Sequence, residues 1–325
     1  SKPLSCMNKL ARRMEELQIS VLQPRGVTWH NQSLRGTIIA QDDKDTWTLQ
    51  TGIPGFKDVA PEGVDPHRLL KAIAGTDFDY EILLTSAWTP HLLLADAYGA
   101  GRVFMAGDAI HQVNPTGGYG MNTGMGDAVD LGWKLAANVQ GWGGSKLLDS
   151  YDAERRPVAL RNVEEATRNF QLRSFAPIPA LVESSPAGEA ARKKLGEEIV
   201  KTTSRELLSD GIAMGYLYDG SPVICGDGST PPALSVTEYV QWTFPGARAP
   251  HAQLADGRST LDLFGRGFVM LRLGRDASDV APFADAAKQS GVPLEVKLLE
   301  EPGSCALYER KLVLVRPDGH VAWRS

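Results

Sequence analysis

The stretch Gly107-Asp-Ala-Ile-His-Gln-Val-Asn-Pro-Thr-Gly-Gly-Tyr-Gly-Met-Asn122 constrains this chain more than any other. It follows Arg102-Val-Phe-Met-Ala, a short apolar run that reads as a buried strand entering a loop. Asp108 then stands at the carboxyl end of that strand, the edge at which open α/β sheets bind ligands. A carboxylate there accepts hydrogen bonds and repels phosphate, so Asp108 suits a sugar or polyol hydroxyl. Gly107 lets the backbone approach a ligand closely. Pro115 and the cluster Gly117, Gly118 and Gly120 form a tight turn leading into a helix expected from about Asn122. The first amides of a helix are unpaired donors with a partial positive charge. Those near Gly120, Met121 and Asn122 suit an anionic oxygen or a delocalised negative charge.

Around this motif the chain divides into four stretches. Before about Pro90, Gly36 to Gln41 and Asp45 to Thr51 read as strands joined by a polar hairpin connection. Pro66 to Ala74 reads as a short helix, and Tyr80 to Ser86 as a further strand. Beyond the motif, Met125, Val129, Trp133 and Ala136 fall at helical spacing and predict the apolar face of a helix that Gly141 to Ser145 ends. Trp133 reads as that helix's core anchor, and Asp127 and Asp130 as supports of its amino-terminal turn. A mostly helical stretch with proline interruptions runs from Pro157 to Leu234. The last stretch reads as a separate α/β unit. Phe268 to Arg272 is a strand, Ala281 to Ser290 a helix, and Pro317-Asp-Gly joins two strands in a hairpin.

Composition excludes several classes. With 34 basic and 39 acidic side chains, no polyanion-binding surface is expected, so no nucleic acid. No apolar run approaches membrane-spanning length, so no membrane association is expected. Cys6, Cys225 and Cys305 lie far apart, without CxxC or metal-ligand spacing, and read as reduced, buried thiols of a cytoplasmic protein.

The motif closely resembles the second flavin-binding motif of the single-component aromatic hydroxylases, the group of para-hydroxybenzoate hydroxylase and phenol hydroxylase. The family pattern Gly-Asp-Ala-x-His-x-x-x-Pro-x-x-Gly-x-Gly-x-Asn is matched at Gly107, Asp108, Ala109, His111, Pro115, Gly118, Gly120 and Asn122. Asp127-Ala-Val-Asp-Leu-Gly-Trp-Lys-Leu-Ala and Tyr151-Asp-Ala-Glu-Arg-Arg-Pro157 are also similar to that family. So are Gly246-Ala-Arg-Ala-Pro-His and Leu314-Val-Arg-Pro-Asp-Gly-His-Val-Ala-Trp-Arg, which resemble its thioredoxin-like terminal domain. Without paired cysteines such a domain cannot exchange dithiols.

The resemblance implies an α/β architecture. Residues 1–94 would form a mixed-sheet substrate domain, and 95–165 the carboxyl-terminal part of a glutathione-reductase-like FAD domain. Residues 166–234 would be a helical segment and linker, and 235–325 a thioredoxin-like domain. It implies FAD as cofactor, bound by Gly107, Asp108, Pro115, Gly118, Gly120, Met121 and Asn122, with Asp108 on the ribityl chain. NADPH or NADH would be the reductant. A phenolic or polycyclic aromatic substrate would be hydroxylated through a flavin C4a-hydroperoxide, with epoxidation or Baeyer–Villiger oxygenation as alternatives on the same scaffold. His111 would serve the loop's architecture, and family habit suggests a homodimer. Trp29, His30, Gln50 and Tyr80 lie in the expected substrate sheet and are candidates to face the substrate. Arg155 and Arg156 are expected to pair with Asp152, Glu154 or neighbours; no catalytic residue can be named. The family's opening GxGxxG is not found. The chain is therefore expected to be a carboxyl-terminal fragment, or to be completed by a separately supplied partner, or as a fragment to act as a binding module.

Overall fold

The computed structural model describes residues 30–33, 36–42, 45–50, 65–74, 79–86, 91–172, 178–275 and 279–325. The chain divides into two compact units, residues 1–89 and 90–325.

In the first unit, β1 (His30–Ser33), β2 (Gly36–Ala40) and β3 (Trp47–Gln50) form an antiparallel sheet in that order. Ile38 and Ala40, two residues apart on β2, are both buried, as period-two alternation requires. The β2–β3 connection is polar as expected: Asp42 Oδ1 accepts from the amides of Asp45 and Thr46, each at 3.1 Å. Helix α1 (Pro66–Ala74) begins where Asp65 Oδ1 accepts the His67 amide at 3.0 Å, with Pro66 at the first helical position. Tyr80 to Ser86 forms no strand. These residues have no ladder partner among the described residues, and Leu83 and Leu84 are exposed.

The second unit opens with two small antiparallel pairs. β4 (Leu93–Leu94) pairs with β7 (His111–Gln112), and β5 (Gly99–Ala100) with β6 (Val103–Phe104). The expected buried strand before the motif is thus only two residues long, and Val103 is 66% exposed. Its ladder partner, β5, is equally short. Helix α2 (Tyr119–Val139) starts three residues earlier than expected, because Gly118 takes a left-handed conformation (φ 68°) at its amino-terminal cap. Helix α3 (Asp149–Leu172) packs on it and runs past residue 165, the expected domain boundary. Helices α4 (Pro186–Leu207) and α5 (Asp210–Met214) follow.

The carboxyl-terminal part is a four-stranded sheet with order β11-β10-β8-β9. It comprises β8 (Phe268–Leu273), β9 (Leu294–Leu299), β10 (Leu312–Val315) and β11 (Val321–Arg324). β8 and β9 are parallel, connected through α6 (Ala281–Gln289), whereas β10 and β11 run antiparallel to their neighbours. Helix α7 (Pro302–Tyr308) bridges β9 and β10. Val269, Leu271 and Leu273 alternate into a core with Leu299, Tyr308, Val313, Val315 and Val321. Of the three cysteines expected to be buried, Cys305 packs against this core, Cys225 is exposed, and Cys6 lies outside the described residues.

Leu271 is fully buried at the centre of that sheet. Leu271→Ala should lower the unfolding free energy by about 2–5 kcal/mol, the range for truncating a buried leucine. Urea unfolding checks this, and a loss below about 1 kcal/mol would show that the sheet interior is not close-packed.

Candidate flavin site

The expected apolar face of α2 is inverted. Met125 and Val129, assigned inward from spacing, are 60% and 59% exposed, and Met121 one turn earlier is 74% exposed. The buried face instead carries Tyr119, Thr123, Asp127, Asp130, Lys134 and Ala137. Buried ions are tolerated only when paired and hydrogen-bonded. The partners come from α3 and from the β10–β11 turn.

Asp127 lies in the third turn of α2 and supports the preceding loop, not the helix's amino-terminal turn as expected. Its Oδ2 accepts the Gly107 amide at 3.2 Å and His111 Nε2 at 2.7 Å, while Oδ1 accepts Arg155 Nε at 2.9 Å. Burial raises the Asp127 pKa, but the His111 hydrogen bond and Arg155 outweigh it and hold the carboxyl below its usual range. An ionised carboxylate only accepts, so Nε2 of His111 carries the proton. Gly107 has φ 62°, which a side chain would strain, so the turn that presents Asp108 needs glycine there. Gly126 is needed for a different reason. A Cβ at that position would lie 2.5 Å from Arg155 Nη2, which reaches the Thr123 carbonyl at 3.1 Å.

The segment Tyr151 to Arg156 accounts for its own composition. The Tyr151 hydroxyl donates to the Met105 carbonyl at 2.8 Å, and Asp152 accepts the Tyr98 amide at 3.2 Å. Glu154 receives Lys134 Nζ at 2.6 Å. Arg155 takes Asp127, and Arg156 Nε donates to the Ala95 carbonyl at 3.0 Å. Of the expected partners Asp152, Glu154 or neighbours, neither acid is used: Arg155 bonds Asp127 and Thr123 of α2, and Arg156 ties α3 to the segment before the motif. The glycine-rich turn is held likewise: Thr116 Oγ1 donates to the Ala166 carbonyl at 2.8 Å, and the Gly117 amide to Glu206 Oε1 at 2.8 Å.

Further along α2, Lys134 Nζ donates to Asp130 at 2.7 Å and to Glu154. Arg316, from the β10–β11 turn, reaches Glu154 at 2.6 and 2.9 Å, Asp130 at 3.1 Å and Asp318 at 2.5 Å. Three carboxylates, Asp130, Glu154 and Asp318, thus share two cations, Lys134 and Arg316. The imbalance falls on Asp130. Burial pushes it up to about 8 despite Lys134 and Arg316. At Glu154 the same two cations overcome burial and hold it at about 2. Trp133 anchors the helix as expected: it stacks on Trp142, meets Phe268 edge-on and donates to Asp318 at 3.2 Å. A cavity of about 400 Å³ opens beside these rings, lined also by Phe283, Leu294 and Leu314, away from the flavin motif.

The residues expected to hold FAD mostly face outward. Asp108, Pro115, Gly118, Met121 and Asn122 are exposed, and Gly107 and Gly120 half-buried. Asp108 has no partner among the described residues. The first turn of α2 has no side-chain cap, so its amides remain available. A free carboxylate and an uncapped helix start, presented on a glycine turn, fit the ribityl and ring portion of FAD. Of the substrate-facing candidates, Trp29 and the side chain of His30 lie outside the described residues. Gln50 is exposed at the end of β3, and Tyr80 bonds His67 Nδ1 at 2.8 Å. What sequence reasoning missed is the buried ion set; its signal was Asp127, Asp130 and Lys134 at i, i+3, i+7 on one helix face.

Residues 58–166 match the model of an FAD binding domain, and residues 242–325 that of the aromatic-ring hydroxylase carboxyl-terminal domain. An FAD-dependent monooxygenase of Emericella nidulans is 35% identical over 94% of this chain and 54% of its own length. The solved structure of chromopyrrolic acid-soaked RebC with bound 7-carboxy-K252c is 38% identical with a TM-score of 0.80, over 96% of this chain and 63% of that one. Aklavinone-11 hydroxylase with FAD and aklavinone is 28% identical with a TM-score of 0.70, over 94% and 54%. The chain belongs to the FAD-dependent aromatic-ring hydroxylases. It spans just over half the length of the first curated relative.

Asp130 gives a pH test. Its folded pKa lies above the usual carboxylate value, so its stabilising contribution is full below about pH 4 and is lost as pH rises through about 8. Asp130→Asn should therefore flatten the fall in unfolding free energy between about pH 4 and 8, whatever its offset at pH 4. Urea titrations at each pH measure this; parallel curves for the two proteins would refute the assignment.

Proposed function

We propose that this chain is the flavin-facing portion of an NAD(P)H-dependent monooxygenase that hydroxylates a phenolic or polycyclic aromatic substrate. The observation that carries the reading is the Gly107 to Asn122 loop, whose inner residues are pinned by buried bonds while Asp108 and the start of α2 face outward. In this reading Asp108 accepts a ribityl hydroxyl. The amides near Gly120, Met121 and Asn122 stabilise negative charge on the ring. FAD would supply the redox and oxygen chemistry, and the protein's part is to orient the cofactor and exclude water. The names of the relatives support an aromatic substrate: RebC with 7-carboxy-K252c and the hydroxylase with aklavinone each hold a polycyclic compound. The strand order β11-β10-β8-β9 supports reading the carboxyl-terminal unit as thioredoxin-like, and with Cys305 as its one cysteine such a unit would have no dithiol chemistry.

The test is the visible spectrum of the purified chain after incubation with FAD and removal of excess, followed by phenol-dependent NADPH oxidation. Retained flavin bands and substrate-stimulated oxidation are expected of the active protein. Loss of all flavin would assign FAD binding to a larger assembly than this chain. In a flavin-retaining sample, Asp108→Ala should weaken FAD binding roughly 10- to 100-fold, the loss expected for a charged hydrogen bond. It should leave the thermal midpoint unchanged, because the exposed side chain has no hydrogen-bond or ion-pair partner among the described residues. Unchanged affinity by fluorescence titration would remove Asp108 from the site.

A further inference from the structure

The carboxyl-terminal unit lacks a dithiol, yet it sends Arg316 into the buried face of the helix that carries the flavin loop. Arg316 is fully buried and bonds Asp130 of α2, Glu154 of α3 and Asp318 of its own turn. Its ring neighbours belong to the same contact: the guanidinium lies 5.1 Å from the ring centroids of both Trp133 and Tyr218. Tyr218 in turn receives Arg155 Nη1 at 3.2 Å and packs 4.3 Å from the His320 ring. Arg155 bonds Asp127, and Asp127 holds the Gly107 amide and His111. From Lys134 back to Asp127 the helix rises about 10 Å. Two guanidinium groups bond its inner face, Arg155 at Asp127 and Arg316 at Asp130, about 4.5 Å apart along the axis, the second from the carboxyl-terminal unit.

We infer that Arg316 is a positioning residue for the flavin loop, and that this is the role of the carboxyl-terminal unit toward the site. Through its fork on Glu154 of α3 and one bond to Asp130 of α2, the guanidinium fixes how α2 lies against α3, with Lys134 of α2 bonding the same Glu154. Asp127, on the same helix face, carries that position to the Gly107-Asp108 turn and to His111. The helix start at Gly118 to Asn122 moves with the same rod. Lysine cannot do this, because a point charge does not set the planar geometry that a bidentate fork sets against a carboxylate. The link to flavin rests on the reading above; the mechanical coupling does not.

The experiment is hydrogen exchange of the full chain without flavin, comparing the native protein with Arg316→Lys and Asp318→Asn. The first substitution keeps the charge and loses the fork; the second removes one acceptor of the fork at constant volume. In either variant, amides within residues 104–113 should exchange about tenfold faster, while β8 keeps its native protection. If Arg316→Lys does not fold, Asp318→Asn gives the same reading. Faster exchange confined to residues 216–221 and 312–324, with 104–113 unchanged, would overturn the proposal. So would a uniform increase that includes β8, which marks a purely structural role. The second measurement is FAD affinity and flavin reduction potential. If the native chain retains FAD, both should move in the variants, and neither moving would overturn the proposal. If the native chain retains none while the exchange coupling holds, this chain alone does not hold FAD and the positioning stands.

Discussion

The paired charges along the inner face of α2 are the constraint on which the second unit depends. Asp127, Asp130 and Lys134 are all buried, and each has its opposite charge within 3.1 Å. Removing ions from water costs several kcal/mol each, so such a face is stable only where every charge meets a partner. Those partners sit on α3 and on the β10–β11 turn, which therefore must lie where they do. Apolar burial in this region is correspondingly slight: Tyr98, Ile110, Tyr151 and Ala159 form a small cluster beside the ions. Non-directional packing tolerates small shifts, but hydrogen-bonded ion pairs do not, because breaking one leaves an uncompensated charge worth about 3–5 kcal/mol. The ion set specifies a register more than it adds stability.

Two opposing pKa shifts express the same constraint. Asp130 and Glu154 both face Lys134 and Arg316, yet one rises to about 8 and the other falls to about 2. Glu154 receives two bonds from Arg316 and one from Lys134, whereas Asp130 receives one from each. The better-solvated charge, in hydrogen-bond terms, keeps its ionisation and the other is pushed toward neutrality.

Much of the fold was legible because it follows local periodicity. The boundaries of α1, β8 and α6 agree with the sequence reading to within a residue, and the Pro317-Asp-Gly hairpin is present. The α2 face was not legible. Met121, Met125 and Val129 repeat every four residues as regularly as Asp127, Asp130 and Lys134 share a face. Periodicity identifies a helix but not its inner side when both sides are periodic. The decisive partners are also remote: Arg155 lies 28 residues from Asp127, and Arg316 lies 162 from Glu154. No local spacing encodes such pairs. Tyr80 to Ser86 failed for the converse reason, since strand-like composition forms a strand only where a partner edge exists.

The motif itself contains two interleaved sets of residues. His111, Asn114 and Thr116 are buried and bond the protein, whereas Asp108, Pro115, Gly118, Met121 and Asn122 face out. The outward residues make few bonds to the rest of the protein, so they do not hold the loop in place. The inward set must do so, and it reaches fixed points on other elements: Asp127 for His111 and the Ala166 carbonyl for Thr116. This explains why the motif includes a histidine without requiring that histidine to react. Its Nε2 proton is committed to Asp127, and its Nδ1 is buried with no partner among the described residues.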